Sequence, residues 1–197
     1  MPKRDKHGYF IFTDYPEFKP NLSPREIFKL GSFGGTYLRE IYSSVTKKWY
    51  KNVHHKFPKS WFKSIPEDWL TRPWDEYDKN INRYKVKVGT TLEFWESKHW
   101  ITKWDVYGWC EWYCNFFLGR RCPDDERQVK RWLQTAGPNS RFRLRLINMI
   151  KKKKTSYDDY SVSPAIHQTL QHWFPSNYYK YYKYYYKSLT YSYKLFI

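Results

Sequence analysis

The chain has 197 residues, of which 36 are Lys or Arg and 19 are Asp or Glu, so its formal net charge is +17. It contains no apolar run of about 18 residues and no apolar stretch near the N-terminus, which argues against a membrane span and a secretory signal. We therefore expect an intracellular protein that does not bind membranes. Because 22% of the residues are Phe, Trp or Tyr, the excess of cations beside aromatic rings suggests a nucleic-acid partner.

The N-terminal segment contains many Pro, Lys and aromatic residues without a steady period. It predicts an irregular arm, over residues 1–22, that packs against a core through its aromatic side chains. Ser23, Pro24 and Glu26 then form the pattern of a capping box with proline in the first helical position. A short helix should follow and end at Gly31.

A glycine-rich segment, residues 31–39, follows this helix. Glycines let backbone amides approach an anion, which makes Thr36 and Arg39 candidates for an anion site. The segment lacks the Lys-Ser/Thr ending of a nucleotide-binding loop and does not lie between a clear strand and a helix. A turn that serves packing is the alternative, and the sequence favours it.

Basic and aromatic residues alternate through residues 42–88, as in the run from Lys47 to Lys51 that includes Trp49. This segment could be a surface that stacks on bases and binds phosphates. The alternative is an extended connection with inward aromatics and solvated lysines. His54 and His55 are neighbours in sequence and so make a poor metal pair.

Two helices are expected in the middle of the chain. Thr90 and Glu93 form the pattern of a second capping box, and Asp105 is the predicted N-cap of a stronger helix over residues 106–118. Aromatic residues recur along that helix at three- and four-residue steps, which predicts a core face. These residues are Trp109, Trp112, Tyr113, Phe116 and Phe117.

Two groups of residues in this region are of types that bind metals. The cysteines are Cys110, Cys114 and Cys122. An odd number of closely spaced cysteines predicts reduced thiols, and buried cysteine is the favoured interpretation over zinc. The acids are Asp124, Asp125 and Glu126. They suit the first turn of a helix that ends near Ala136, and neighbouring carboxylates on one turn diverge, so we predict no metal and no cofactor.

A second helix should begin after the Gly137 turn, with Ser140 as its N-cap. Residues 140–154 contain seven cations and no acid. The two helices have the outline of a helix-turn-helix whose second helix reads DNA, although ordinary helix packing gives the same pattern. The candidate nucleic-acid-binding residues are Arg120, Arg121, Arg141, Arg143, Arg145, Lys151, Lys152, Lys153 and Lys154.

A last helix should begin at Ser163 and Pro164 and end near Trp173. Residues 176–197 form a low-complexity tail dominated by Tyr and Lys. Such a tail could stack on bases or on other chains. Tyr and Lys have codons made largely of A and T, so the tail could also reflect an AT-rich genome.

Several segments together resemble an uncharacterised protein family that is associated with large DNA viruses, algae and fungi. They are residues 18–26, 31–37, 95–98, 107–109, 112–114, 119–121, 124–128 and 161–164. The resemblance covers about residues 10–174 and implies one intact domain and no known activity. With the AT-biased composition, it suggests a protein encoded by a giant virus.

The sequence therefore predicts a mainly α protein with about five short helices and an irregular aromatic-rich arm. Residues 1–175 should form a single basic domain, and 176–197 its tail. The predicted function is nucleic-acid binding, led by phosphate contacts and assisted by aromatic stacking. Two alternatives stay open: a nucleic-acid-processing enzyme with a carboxylate or histidine site, and a structural or virion-associated protein. No catalytic set of residues can be placed from the spacing.

Overall fold

The computed structural model describes residues 1–174, so the predicted tail lies outside the described residues. The protein is helix-rich and has a small two-stranded sheet. The helices are α1 (Pro24–Lys29), α2 (Lys59–Phe62), α3 (Asp68–Thr71), α4 (Leu92–Ser97), α5 (Trp109–Phe117), α6 (Asp125–Ala136), α7 (Arg141–Lys153) and α8 (Pro164–His172). The strands are β1 (Ile41–Ser43) and β2 (Lys48–Tyr50). Within residues 1–174, no helix has the length and apolarity that a membrane crossing requires.

Side-chain caps begin three of these helices at or within one residue of the predicted position. At α1, Ser23 Oγ accepts from the Glu26 amide at 3.3 Å, and the Glu26 carboxylate accepts from the Ser23 amide at 2.7 Å. Thr91 caps α4, one residue after the predicted Thr90, and Ser140 caps α7, each by accepting from a single backbone amide. Each cap satisfies an amide that the helix itself leaves without a partner. The predicted starts of α1 and α7 are therefore confirmed, and the predicted start of α4 is one residue too early.

Helix α5 lies at the centre of the core and is buried on almost every side. Its aromatic residues pack against the N-terminal arm, where Phe18 contacts the rings of Trp112 and Phe116 at 5.5 Å between centroids. Their polar atoms are also satisfied. The Trp112 indole donates to Asp125 at 2.8 Å, and the Tyr113 hydroxyl donates to the Leu22 carbonyl at 2.8 Å. The predicted core face is confirmed.

The predicted start of α5 is wrong. The helix begins at Trp109, after Gly108, and Asp105 makes no cap. The Asp105 carboxylate instead accepts from Asn115 and Arg120, both later in the chain. A carboxylate shortly before an apolar helical run resembles an N-cap in sequence. The Asp105 carboxylate instead forms an ion pair with Arg120, 15 residues later in the chain.

The segment of residues 42–88 contains short strands and helices, so it is more regular than the extended connection that is one interpretation of its sequence. β1 and β2 pair in antiparallel register, with Tyr42 opposite Trp49. The short helices α2 and α3 follow, and α2 packs against α1. Each of these elements is only three or four residues long, too short to show a period in the sequence.

Helices α6 and α7 are joined by a tight turn at Gly137 and pack against each other. A Cβ atom at Gly137 would lie 2.4 Å from the Leu133 carbonyl oxygen, so this turn requires glycine. On α7, Leu146 and Ile150 are buried. Their burial fixes the rotation of α7 and directs its opposite face outward.

Candidate nucleic-acid interface

The outward face of α7 carries four exposed polar residues spaced four, three and four residues apart. They are Arg141, Arg145, Asn148 and Lys152. Residues at such spacings lie on one side of a helix, one above the other. Together with Asn139, Leu144 and Met149, they line an open depression of about 640 Å³. Among the described residues, those lining it include no carboxylate.

The lysines at the C-terminal end of α7 are in different environments. Lys153 donates to Asp159 at 2.9 Å and to the Ser161 hydroxyl at 2.7 Å, so its charge is partly compensated. The hydrogen bond from Ser161, followed by that from Lys153, lowers the pKa of Asp159. Lys152 and Lys154 are exposed, and Lys151 is half-buried. These cations also complement the negative end of the helix dipole.

Arg143 does not belong to this outward face. Its exposed fraction is 2%, whereas Arg141 and Arg145 are exposed. Residues two apart on a helix point to nearly opposite sides, so Arg143 lies on the inward side when its neighbours face outward. Its inclusion among the surface-binding residues is corrected.

The structure also separates Arg120 and Arg121 from α7. Both nitrogens at the end of the Arg120 guanidinium are bonded to Asp105, whose exposed fraction is 1%. Arg121 donates to Asp14 at 2.5 Å, and its guanidinium lies 3.7 Å from the centre of the Phe116 ring. These donors are used within the fold, so we remove both residues from the candidate interface.

In the glycine-rich segment, the backbone amides that an anion would need already have protein partners. The Phe33 amide donates to His172 Nε2 at 3.0 Å, and the Gly34 amide donates to the Asn82 side chain at 2.8 Å. The amides of Gly35 and Thr36 donate to carbonyls of the same turn. This geometry supports the packing turn over the anion site.

Thr36 and Arg39 also make internal contacts. The Thr36 hydroxyl donates to the Phe33 carbonyl at 2.9 Å, and Arg39 donates to the Thr36 carbonyl at 3.0 Å. The Arg39 guanidinium lies 5.2 Å from the centre of the Trp74 ring, and burial lowers its pKa. The cavity beside them has a volume of only about 30 Å³.

The three acids at the start of α6 each have a separate partner. Asp124 accepts from Arg127 at 2.5 Å, and Glu126 accepts from Lys130 at 2.6 Å. Asp125 is buried and accepts from the Cys122 amide at 2.9 Å. The part of the chain that the structure describes contains no group of three His, Cys, Asp or Glu residues that could hold a metal ion. Nothing in this arrangement favours the enzyme alternative.

Sequence reasoning missed the apolar part of the α7 surface. Leu144 and Met149 both line the depression beside Arg145. Helical spacing indicates this placement, because Leu144 lies three residues after Arg141 and Met149 lies four residues after Arg145. The surface therefore combines cations, two amides and two aliphatic side chains.

Comparisons of the chain with protein-family models, with curated proteins and with solved structures find no match. The resemblance to a family of large DNA viruses, algae and fungi stays a prediction.

Proposed function

We propose that this protein binds nucleic acid through the outward face of α7, with its cations in contact with phosphates. One observation carries the proposal: Arg141, Arg145 and Lys152 project from a single face that displays no carboxylate. Eleven residue steps along a helix cover about 16 Å, so the row is long enough to contact successive phosphates. Lys154 extends the positive charge beyond the helix end.

The composition of this face also suits a nucleic-acid groove. The major groove of duplex DNA admits an α-helix, and Arg and Asn are the side chains that pair bidentately with guanine and adenine. Arg145 and Asn148 lie at the middle of the face, where base edges would be reached. The aliphatic groups of Leu144 and Met149 could contact a thymine methyl group.

Packing of the opposite side supports the proposal by holding α7 in one orientation. Leu146 and Ile150 are 1% exposed, and the helix contacts both α6 and α8. A binding face on a rigid element loses little conformational freedom when the ligand binds. The cations are thus displayed on a fixed surface.

The test is a salt-titrated binding assay with duplex DNA, single-stranded DNA and RNA. The triple variant R141A/R145A/K152A removes three cations from the face. Each phosphate contact contributes about 0.9 to the slope of log K against log salt on duplex DNA, so we expect the slope to become shallower by about 3. We also expect the affinity for duplex DNA to fall, because the major groove of duplex DNA admits an α-helix such as α7.

The matched control is R25A/K29A/K59A, which removes three exposed cations from α1 and α2 and leaves α7 intact. It should retain both affinity and slope. Equal binding by the two variants would show that net charge alone governs association. Unchanged affinity of R141A/R145A/K152A for every polymer would contradict the proposal.

A further inference from the structure

The β1–β2 hairpin displays an aromatic pair on its outward side. Tyr42 and Trp49 are cross-strand partners with ring centroids 5.5 Å apart. Trp49 is 69% exposed and Tyr42 is 45% exposed. Large aromatic side chains usually bury most of their area in a core or an interface, so an outward pair at these exposures leaves much apolar surface in water.

The other side of the hairpin explains why this pair stays outward. Ile41 and Ser43 point to the core and are buried. The turn is fastened by Glu96 of α4, whose carboxylate accepts from the Ser44 amide at 2.9 Å and from the Ser44 hydroxyl at 2.6 Å. Contacts of other hairpin residues, Ile41, Ser43 and Ser44, therefore hold the aromatic pair in place.

Three lysines lie within two residues of Trp49 in the chain. Lys47, Lys48 and Lys51 are exposed, while Glu40, just before β1, is a nearby exposed carboxylate. Lys47 lies in the turn before β2, where its φ is +58°, and Lys51 directly follows β2, so each is two residues from Trp49 in the chain. A flat apolar surface bordered by an excess of positive charge suits a ligand with planar rings and negative charges.

We propose that Tyr42 and Trp49 form a stacking platform for unpaired bases of single-stranded nucleic acid, with Lys47 and Lys51 contacting the adjoining phosphates. The inference rests on the proposed function for the class of partner, but it uses a different surface and a different part of the ligand. The α7 face would contact the phosphate backbone of a duplex, and the hairpin would hold exposed bases. Together the two surfaces suit a nucleic acid with both paired and unpaired regions.

The first experiment measures binding of an oligothymidylate of about ten nucleotides, a length within the usual range of one single-strand-binding module. A second oligomer of equal length carries the same phosphates but lacks the bases. Trp49→Ala should weaken binding of the first oligomer by about tenfold or more and leave the abasic oligomer unaffected. Trp49→Phe keeps a ring in place and should retain most of the affinity.

The control variant is Phe94→Ala, which removes another exposed aromatic side chain that has a lysine above its ring, Lys98 at 5.5 Å. Its affinity for oligothymidylate should match that of the unmodified protein. An equal loss in Phe94→Ala and Trp49→Ala would overturn the assignment of stacking to the hairpin. So would equal weakening of the abasic oligomer by Trp49→Ala.

A second measurement uses the unmodified protein, so it does not depend on how a variant folds. An oligonucleotide that contains 5-iodouracil is irradiated in the complex, and the crosslinked peptides are mapped by mass spectrometry. Crosslinks at Tyr42 or Trp49 are expected, and crosslinks confined to other segments would refute the platform. If R141A/R145A/K152A binds duplex normally while Trp49→Ala loses the single strand, the α7 proposal fails and the platform stands.

Discussion

The guanidinium of Arg120 and the carboxylate of Asp105 form a bidentate ion pair, with nitrogen–oxygen distances of 2.8 and 2.5 Å. The Asp105 side chain is 1% exposed, and the Arg120 side chain is 29% exposed. Burial raises the pKa of Asp105, and the bonds from Arg120 counteract that rise. The pair fastens the loop before α5 to the loop after it.

Removal of Arg120 should therefore destabilise the fold. In Arg120→Ala, the Asp105 carboxylate stays buried without its cation, which we expect to lower the free energy of unfolding by about 3 kcal/mol. Urea unfolding followed by circular dichroism measures this. The double variant D105N/R120A removes the uncompensated charge and should recover part of the loss.

Arg121→Ala provides the comparison, because it deletes the neighbouring arginine. The partner of Arg121, Asp14, is 45% exposed, and exposed ion pairs contribute about 1 kcal/mol or less. A smaller loss than in Arg120→Ala is expected. Comparable losses in the two variants would mean that the burial of Asp105 does not determine the cost.

Local signals account for the part of the fold that the sequence predicts well. A capping box or a capping hydroxyl lies within four residues of the amides it serves, so the sequence predicts the starts of α1 and α7, and that of α4 to within one residue. The Asp105–Arg120 pair joins residues 15 apart, and no local pattern distinguishes such an acid from an N-cap. The hairpin depends on pairing between strands of only three residues, which carry almost no periodic signal.

The candidate site was also predictable in part. The cationic run of α7 is evident in the sequence, and helical spacing alone places Arg143 on the side opposite Arg141 and Arg145. The loss of Arg120 and Arg121 from the site was not predictable, because their partners Asp105 and Asp14 are distant in sequence. Sequence shows where charge is abundant, and tertiary structure decides which charges are already paired.

Gly31 allows a test of the packing turn. Its φ is +88°, and a Cβ atom there would lie 2.0 Å from the Ile81 carbonyl oxygen. Gly31→Ala should therefore combine left-handed backbone strain of about 1–2 kcal/mol with a clash against backbone that cannot easily move. We expect a loss of stability well above the strain alone, measured as the shift in the urea midpoint.

Gly89→Ala isolates the strain. Gly89 has a similar φ of +94°, but no atom lies within 4 Å of the position where its Cβ would be. The difference between the two alanine variants thus measures the close approach to Ile81. Similar stability of both variants would contradict the tight packing of this turn.

Glu111 is a buried carboxyl group in the first turn of α5. Its exposed fraction is 2%, and burial raises its pKa from 4.5 to about 7. The Tyr107 amide donates to Oε2 at 2.9 Å, and Lys56 Nζ lies 3.6 Å from Oε1. Both contacts favour the ionised form, but the desolvation of the charge outweighs them.

Stability should consequently depend on the protonation of Glu111. Because its pKa is higher in the folded state, the folded protein binds more protons between pH 4.5 and about 7, and the contribution to stability present below pH 4.5 is lost as the pH rises through 7. The loss corresponds to about 3 kcal/mol.

Glu111→Gln mimics the neutral form, so the variant should match the unmodified protein at pH 4 and be more stable at pH 8. Burial lowers the pKa of His172 to about 3, so this residue reduces the stability of the fold as the pH falls. The effect is common to both proteins and cancels in the difference between them. A difference in unfolding free energy that stays constant from pH 4 to pH 8 would show that Glu111 does not titrate in this range.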